Sequence, residues 1–215
     1  MNIRKILDYS LADIISYAYI LTQRGLSGFW GTLMFRVKAL AFGVENKGNV
    51  KCFGPTHIMR APKSIISVGK NVTIVSSSLR CSASSIWAPT RLRTLSQTAR
   101  IIIEDNVGLN GTSITARSKT IRICKGAMVA PNVVIVDLDG HALWPPEDRL
   151  TNPAFELDND VIIGSNVWIG SSCIILKGVI VGDNSIIAAG SVVTRNIPPN
   201  VLAGGVPAKI IRELP

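Results

Sequence analysis

The feature that most constrains the fold of this chain is a six-residue repeat in its C-terminal part. Counted in steps of six, one position always holds a branched aliphatic residue: Ile163, Ile169, Ile175, Val181, Ile187 and Val193. The next position is mostly small, and the position four residues after each aliphatic is small or medium-sized. A period of six matches neither the ~3.6 residues of a helical turn nor the two-residue alternation of a plain strand.

The repeat predicts a unit that consists of a short strand followed by a turn. Three such units bring the chain back above itself. The aliphatic residues then stack in columns inside a triangular prism, and the stacked backbones pair as parallel sheets. Small residues are expected at the bends, where a Cβ would crowd the corner. Weaker repeats that start at Val68, Ile103 and Ile123 extend the pattern upstream, so we expect an all-β prism that begins near Asn46.

Two segments interrupt the repeat within the predicted prism domain, residues 46–215. Residues 79–100 are rich in Ser, Thr and Arg, and residues 137–160 contain Gly140 and three prolines. Long loops inside a compact domain commonly carry function. Residues 137–160 are therefore the expected active-site loop.

The two ends of the chain show no such repeat. Residues 1–45 are predicted to form an N-terminal helical arm, with helices over Ile6–Ile20 and Leu33–Phe42 separated by glycines. We expect the arm to pack on the prism end or on a partner subunit, or else to dock on a membrane surface. In the tail, residues 203–215, two glycines are expected to end the prism and Pro207 to open a short C-terminal helix.

Charge is divided unevenly between the two halves of the chain. Residues 1–100 hold 14 Lys or Arg and 3 Asp or Glu, whereas residues 101–215 hold 9 and 11. No acidic residue occurs between Asn46 and Arg100. The strongly positive charge of residues 1–100 favours an anionic partner, such as membrane lipids, a phosphate-bearing substrate or an acidic polysaccharide. Nucleic acid is not expected, because no nucleic-acid-binding motif occurs.

Neither a metal site nor a membrane span is expected. The four cysteines form no CxxC pair and show no metal-ligand spacing. The longest apolar stretch, Leu11–Leu21, contains Asp13 and is shorter than the ~20 residues that cross a bilayer. No clear cleavage site follows it, so the expected location is the cytoplasm, with peripheral contact to the inner membrane face as an option.

Several motifs closely resemble the hexapeptide-repeat acyltransferases, in particular the maltose/galactoside and polysaccharide O-acetyltransferase group. The matching segments are Ile162–Ser171, Gly178–Ser185, Ala189–Thr194, Ile197–Asn200, Gly205–Lys209, Ala130–Val133 and Gly140-His141. They cover residues 100–215, whereas residues 46–100 match only in repeat pattern. The resemblance implies a left-handed parallel β-helix, a homotrimer with active sites in clefts between neighbouring prisms, and acetyl-CoA as co-substrate without a metal.

The resemblance also indicates the catalytic residues. His141 occupies the position of the family's catalytic base, and an imidazole with a pKa near ~6.5 suits proton removal from a weakly nucleophilic sugar hydroxyl. Asp137, Asp139, Glu147 or a backbone carbonyl could orient it, and the sequence leaves this open. Asn110 matches a polar active-site position that holds the acceptor hydroxyl, although an Asn before Gly is also a common turn pairing.

The resemblance implies a second group of residues, which would bind the coenzyme. By resemblance, Trp168 lines the acetyl pocket, and the residues along the pantetheine groove are Ser171, Ala189 and Thr194. The cations placed to meet the phosphates are Arg195, Lys209 and Arg212. Arg117 and Ser118 occupy the stretch where the maltose/galactoside enzymes carry acidic residues, which favours a larger or anionic acceptor over a free neutral sugar.

The function predicted from the sequence is acetyl transfer from acetyl-CoA to a sugar hydroxyl of a surface polysaccharide or of its lipid-linked or nucleotide-linked precursor. One alternative is N-acetylation of an amino sugar or an antibiotic on the same scaffold. A second alternative is a non-catalytic β-helix scaffold protein, which predicts no binding of coenzyme A.

Overall fold

The computed structural model describes residues 9–215, so the expected start of a helix at Ile6 lies outside the described residues. One α-helix, α1 (Leu11–Ala41), precedes a long series of short strands. The strands are β1 (Glu45–Asn46), β2 (Lys51–Phe53), β3 (His57–Met59), β4 (Ile65–Val68), β5 (Thr73–Val75), β6 (Arg91–Thr94), β7 (Arg100–Ile103), β8 (Gly108–Asn110), β9 (Ser113–Ala116), β10 (Thr120–Ile123), β11 (Met128–Val129), β12 (Val134–Val136), β13 (Val161–Ile163), β14 (Trp168–Ile169), β15 (Ile174–Ile175), β16 (Ile180–Val181), β17 (Ile186–Ile187), β18 (Val192–Val193), β19 (Val201–Gly205) and β20 (Ala208–Glu213).

From β4 to β18, each strand pairs with the strand three places earlier in the chain, which gives three parallel sheets around one axis. Sheet 1 has the order β1-β4-β7-β10-β13-β16, sheet 2 begins β2-β5-β8-β11-β14-β17 and ends with β19-β20, and sheet 3 contains β3, β6, β9, β12, β15 and β18. In sheet 1, Ile103 pairs with Ile123, and Ile123 with Ile163. The six aliphatic positions of the repeat are fully buried, which confirms the predicted columns of a prism that begins at β1.

The corners of the prism depend on small residues and on asparagines. A Cβ added to Gly170 would lie 2.5 Å from the backbone nitrogen of Ala189 in the next coil, so only glycine fits there. Asn166, Asn184 and Asn200 adopt positive φ values of 56°, 60° and 57°, a region that asparagine tolerates better than other side chains. Their amides form a ladder, because Asn166 donates to Asn184 and Asn184 to Asn200, at 3.2 and 3.0 Å.

The N-terminal arm is one continuous helix, so the prediction of two helices separated by glycines was wrong. Ser10 caps α1 through a capping box with Asp13. A Cβ on Gly31 would lie 2.5 Å from the carbonyl oxygen of Cys52. The glycine is therefore a packing position that lets the helix approach β2, where Phe35 and Ala39 are also buried. Within residues 9–215, no helix is long and apolar enough to cross a membrane.

The predicted short C-terminal helix is also wrong, because the tail forms an antiparallel hairpin. Val201–Gly205 joins sheet 2 beside β17, and Ala208–Glu213 pairs with it. The turn at Val206 and Pro207 reverses the chain. The edge of a parallel sheet offers unpaired backbone groups, and a second strand that contains Ile210 and Ile211 satisfies them better than a separate helix would.

One of the two predicted interruptions of the repeat is a loop as expected, and the other is shorter than expected. Residues 137–160 form a loop between β12 and β13 with two short 3-10 helices, Pro146–Leu150 and Phe155–Leu157, as predicted. Residues 79–100 are interrupted only in part, since Arg91–Thr94 is strand β6 in sheet 3. The actual insertion is therefore the segment 76–90 between β5 and β6.

Candidate active site

His141 lies exposed in the loop between β12 and β13, and one of its ring nitrogens is held by the backbone. Its Nδ1 lies 2.5 Å from the carbonyl oxygen of Arg149. A carbonyl oxygen only accepts hydrogen bonds, so Nδ1 must carry the proton of the neutral ring. Nε2 is then unprotonated and able to take a proton. The structure thus answers the question left open by the sequence, because the group that orients His141 is a backbone carbonyl.

Two of the three carboxylates close to His141 in sequence, those of Asp137 and Asp139, are engaged elsewhere. Asp139 pairs with Lys177 at 2.5 Å. Asp137 is fully buried and accepts hydrogen bonds from the backbone nitrogens of Arg117 and of the next two residues, at 2.7, 3.1 and 2.9 Å. Burial raises the pKa of Asp137 above its ordinary value despite these donors. Asp137 therefore fixes the start of the loop against the coil beneath it.

The far end of the loop is fixed by a buried ion pair. The Nε of Arg117 lies 3.1 and 2.9 Å from the two carboxylate oxygens of Asp158. The side chain also donates to the carbonyl oxygens of Pro153 and Ala154, and its guanidinium lies 4.6 Å from the centre of the Phe155 ring. Hydrogen bonding to Asp158 raises the pKa of Arg117. Because the cation is buried and paired with Asp158, Arg117 is not available to bind an anionic acceptor.

Asn110 ends strand β8 at the corner between sheets 2 and 3. Its Nδ2 donates to the carbonyl oxygen of Val129 in the next coil at 2.8 Å. The side chain is half-buried, and within residues 9–215 no donor is bonded to its Oδ1. An oriented amide with a free acceptor oxygen is suited to receive a hydrogen bond from a hydroxyl.

A tryptophan that the sequence analysis missed lies beside Asn110. Trp87, in the segment 76–90, is 78% exposed. Its backbone nitrogen donates to Oδ1 of Asn132 at 3.0 Å, and Nδ2 of Asn132 donates to the carbonyl of Ser85 at 2.9 Å. The backbone of Asn132 in turn donates to the carbonyl of Asn110 at 3.2 Å. A single aromatic residue in a Ser-rich loop was the signal that could have indicated it.

Three of the four residues implied for the acetyl group and the pantetheine arm lie close together. Trp168 faces outward from sheet 2 and is 49% exposed; on the same face it is flanked by Met128 and Ile186. Ser171 follows β14 and Ala189 follows β17 at the same corner in successive coils, where the Gly190 nitrogen donates to the Ser171 carbonyl at 2.8 Å. These three candidate residues therefore form one strip.

The other candidates for the coenzyme lie elsewhere on the prism. Thr194 and Arg195 follow β18, at the corner between sheets 3 and 1. Lys209 and Arg212 lie on β20, at the edge of sheet 2. All four are exposed, and none of the three cations forms an ion pair in the described part of the chain.

His141 and Asn110 leave the prism at different corners. The loop that carries His141 joins β12 of sheet 3 to β13 of sheet 1, whereas Asn110 ends β8 where sheet 2 meets sheet 3. Trp168, Ser171 and Ala189 share the face or the corner of Asn110. The candidate site residues of one chain are therefore divided between two corners of the prism.

Comparison with known proteins places these features in a known fold. Residues 160–195 match the family described as bacterial transferase hexapeptide (six repeats). The chain is 45% identical over 95 residues to the galactoside O-acetyltransferase of Escherichia coli K12, covering 44% of this chain and 45% of that protein. It is 33% identical over 119 residues to the putative lipopolysaccharide biosynthesis O-acetyl transferase WbbJ of the same organism, covering 53% and 60%.

Solved structures agree with this match. The N-acyltransferase AntD from Bacillus cereus, in complex with dTDP and 3-hydroxybutyryl-CoA, superposes with a TM-score of 0.62 at 18% identity, covering 84% of this chain and 88% of that one. A galactoside acetyltransferase in complex with coenzyme A gives 0.50 at 28% identity, covering 80% and 65%. The resemblance to hexapeptide-repeat acyltransferases and the left-handed parallel β-helix are thereby confirmed. The chain spans about half the length of the curated relatives it matches.

Proposed function

We propose that this chain is an acetyl-CoA-dependent O-acetyltransferase that modifies a sugar hydroxyl of a surface polysaccharide or of its lipid-linked or nucleotide-linked precursor. The observation that carries the proposal is His141, which lies in the long loop with Nδ1 held by the Arg149 carbonyl and Nε2 left as a base. Similarity to a galactoside O-acetyltransferase and to a putative lipopolysaccharide O-acetyl transferase supports oxygen as the acceptor atom.

In the proposed reaction, Nε2 of His141 removes the proton of the acceptor hydroxyl while its oxygen attacks the thioester carbon of acetyl-CoA. The tetrahedral intermediate collapses, the C–S bond breaks, and the thiolate takes the proton from the imidazolium as it leaves. The Arg149 carbonyl stabilises the imidazolium through Nδ1–H. The proton, the acetyl group and the thiol are then accounted for, with no covalent enzyme intermediate and no metal.

The residues of this chain fit acetyl-CoA as the co-substrate. The outward face around Trp168 offers an apolar surface for the acetyl group and the start of the arm. The stacked turns at Ser171 and Ala189 present backbone groups along the groove, which suits the thin pantetheine chain. The exposed cations Arg195, Lys209 and Arg212 are the candidates for the phosphates, and Thr194, next to Arg195, is a further candidate for the groove.

The acceptor is proposed to lie between Asn110 and Trp87. The free Oδ1 of Asn110 would accept a hydrogen bond from the reacting hydroxyl, and the exposed ring of Trp87 would stack on the apolar face of a sugar ring. Asn132 fixes the backbone of the segment that carries Trp87. The acceptor is therefore a carbohydrate, bound mainly by stacking and neutral hydrogen bonds.

A homotrimer would complete this site. His141 and Asn110 lie at different corners of one prism, so a neighbouring copy with its prism alongside could bring its His141 loop to the strip of Asn110, Trp168 and Ser171. Each of three clefts would then hold one complete set of residues. We place the enzyme in the cytoplasm, where acetyl-CoA is made, in peripheral contact with the inner membrane face.

The proposal is tested by measuring free thiol released from acetyl-CoA in the presence of a panel of surface glycans and their precursors, followed by mild base treatment of the product. Acceptor-dependent thiol release and a base-labile product are expected. A base-stable product would indicate an amide and N-acetylation. Failure to bind coenzyme A in a direct titration would favour the scaffold protein.

A further inference from the structure

The helix α1 extends well beyond the surface on which it packs. Its 31 residues correspond to about 46 Å at 1.5 Å per residue. Its buried residues, Gly31, Phe35 and Ala39, all lie in the C-terminal part that contacts β2. From Leu11 to Thr22 every residue is exposed. The first 12 of the 31 residues of the helix therefore have no partner among residues 9–215.

The face of α1 that points away from the prism is an uninterrupted apolar stripe apart from one threonine. At 100° per residue its members fall within an arc of about 80°. They are Leu11, Ile15, Tyr19, Thr22, Leu26, Phe29, Leu33, Val37 and Leu40. All are exposed, with Leu11 at 73%, Phe29 at 64% and Leu40 at 86%. We call this set the outer stripe; a surface of this extent on a stable protein indicates a partner.

Positive charge borders the outer stripe. Arg36 and Lys51 line the same surface groove as Phe29 and Leu33. The adjoining coils of the prism contain no acidic residue between Asn46 and Arg100. Several of their cations are exposed, namely Lys47, Lys51, Lys63, Lys70 and Arg80. The apolar surface and the cations thus belong to one end of the molecule.

We propose that the outer stripe docks on an anionic lipid surface, with α1 lying in the plane of the membrane interface. Its apolar side chains would enter the boundary between headgroups and acyl chains, and the cations of the first coils would contact the headgroups. Tyr19, in the stripe, and Trp30, beside it, are both exposed and have the apolar ring and polar tip that suit this boundary. A docked helix agrees with the finding that α1 cannot span the bilayer.

A lipid surface explains the stripe better than a second copy of the chain does. A second copy would bring like charges together, since residues 1–100 carry 14 basic and 3 acidic residues. An anionic leaflet would attract the same charges. This proposal is independent of the transfer chemistry.

The test uses the full chain and sedimentation with vesicles of phosphatidylcholine, alone or with a minority of phosphatidylglycerol. Binding to the mixed vesicles, weakened by salt, is expected. Ile15→Asp should reduce the vesicle partition coefficient about tenfold or more, whereas Ser16→Asp should change it by about threefold or less. The two neighbours are both exposed and receive the same charge in the same turn, but only Ile15 lies in the outer stripe.

Three results would overturn the proposal. The first is that the wild-type chain stays in solution with the mixed vesicles. The second is that both variants lose binding equally, which would make charge alone responsible. The third is that Ile15→Asp changes the oligomeric mass in sedimentation equilibrium while vesicle binding is unchanged, which would assign the stripe to a second copy. Unchanged thiol release with a soluble acceptor in both variants verifies that the prism is intact.

Discussion

The buried ion pair between Arg117 and Asp158 is predicted to hold the active-site loop in place. Asp158→Ala leaves the guanidinium buried without its carboxylate partner, and only the carbonyls of Pro153 and Ala154 remain. Breaking one side of a buried pair costs about 3–5 kcal/mol. Because the pair fastens a loop and not the prism, the cost should appear as local opening.

The size of the effect follows from this free energy. A loss of about 3–5 kcal/mol corresponds to roughly two to four orders of magnitude in the opening equilibrium of the loop. Hydrogen exchange should therefore accelerate by that factor at loop amides such as the Ala142 nitrogen, which donates to the Asn152 carbonyl. Amides of the core strand β13 should keep their protection. Acetyl transfer needs His141 on the closed loop, so its rate should fall only as far as the closed population falls, which is much less than the change in exchange while the loop stays mostly closed.

A second ion pair on the same loop provides the control. Asp139 and Lys177 are only about three-quarters buried, with side-chain exposures of 26% and 23%. Pairs with this access to water contribute about 0–1 kcal/mol, so Lys177→Gln should change exchange by about fivefold at most. Equal effects of the two variants, or unchanged exchange in Asp158→Ala, would refute the reasoning about the buried pair.

Three further predictions concern the helix, the substrates and pH. Gly31→Ala should destabilise the protein by about 1–3 kcal/mol in urea unfolding, because its Cβ would meet the Cys52 carbonyl. Gly25→Ala, with open space around it, should stabilise the protein by about 0.5–1 kcal/mol. A change in the free energy of unfolding of the same sign in both variants would contradict this. Trp87→Ala should raise KM for the acceptor about fivefold and leave KM for acetyl-CoA unchanged, and Trp168→Ala should do the reverse. Burial raises the pKa of Asp137 in the folded state, so its contribution to stability is full at acid pH and is lost as pH rises through that pKa. In urea unfolding, the free energy of unfolding of Asp137→Asn should therefore not show the decline with rising pH that the wild type shows.

The repeat was predictable from sequence because each coil obeys the same local rule. Ile163 and the aliphatics after it in the series are buried in the expected columns, and the loop over residues 137–160 lies where prolines and Gly140 stop the pattern. In both cases the signal is carried by residues close together in the chain. The basic first coils and the end of the prism at Gly204 follow from the same kind of local evidence.

The errors arose where the deciding partner is distant in sequence. Glycines in a helix normally mark its end, but Gly31 meets Cys52, 21 positions away, and the helix continues. Pro207 suits a helix start, but the free edge of β19 recruits the tail as a strand. The buried pair of Arg117 and Asp158 could not be predicted either, because only folding brings the two residues together across 41 positions. The Arg149 carbonyl carries no side-chain signal, so its role could not be predicted.

The measurement that tests the central claim most directly compares thiol release by His141→Ala and His57→Ala at saturating acetyl-CoA and acceptor. His57 is also exposed, but it lies on β3 in the first coils, away from the candidate site. We expect kcat to fall about 10²–10⁴-fold in His141→Ala and to stay unchanged in His57→Ala, with coenzyme binding retained in both. A His141→Ala enzyme as fast as the wild type would contradict the assignment of His141 as the general base.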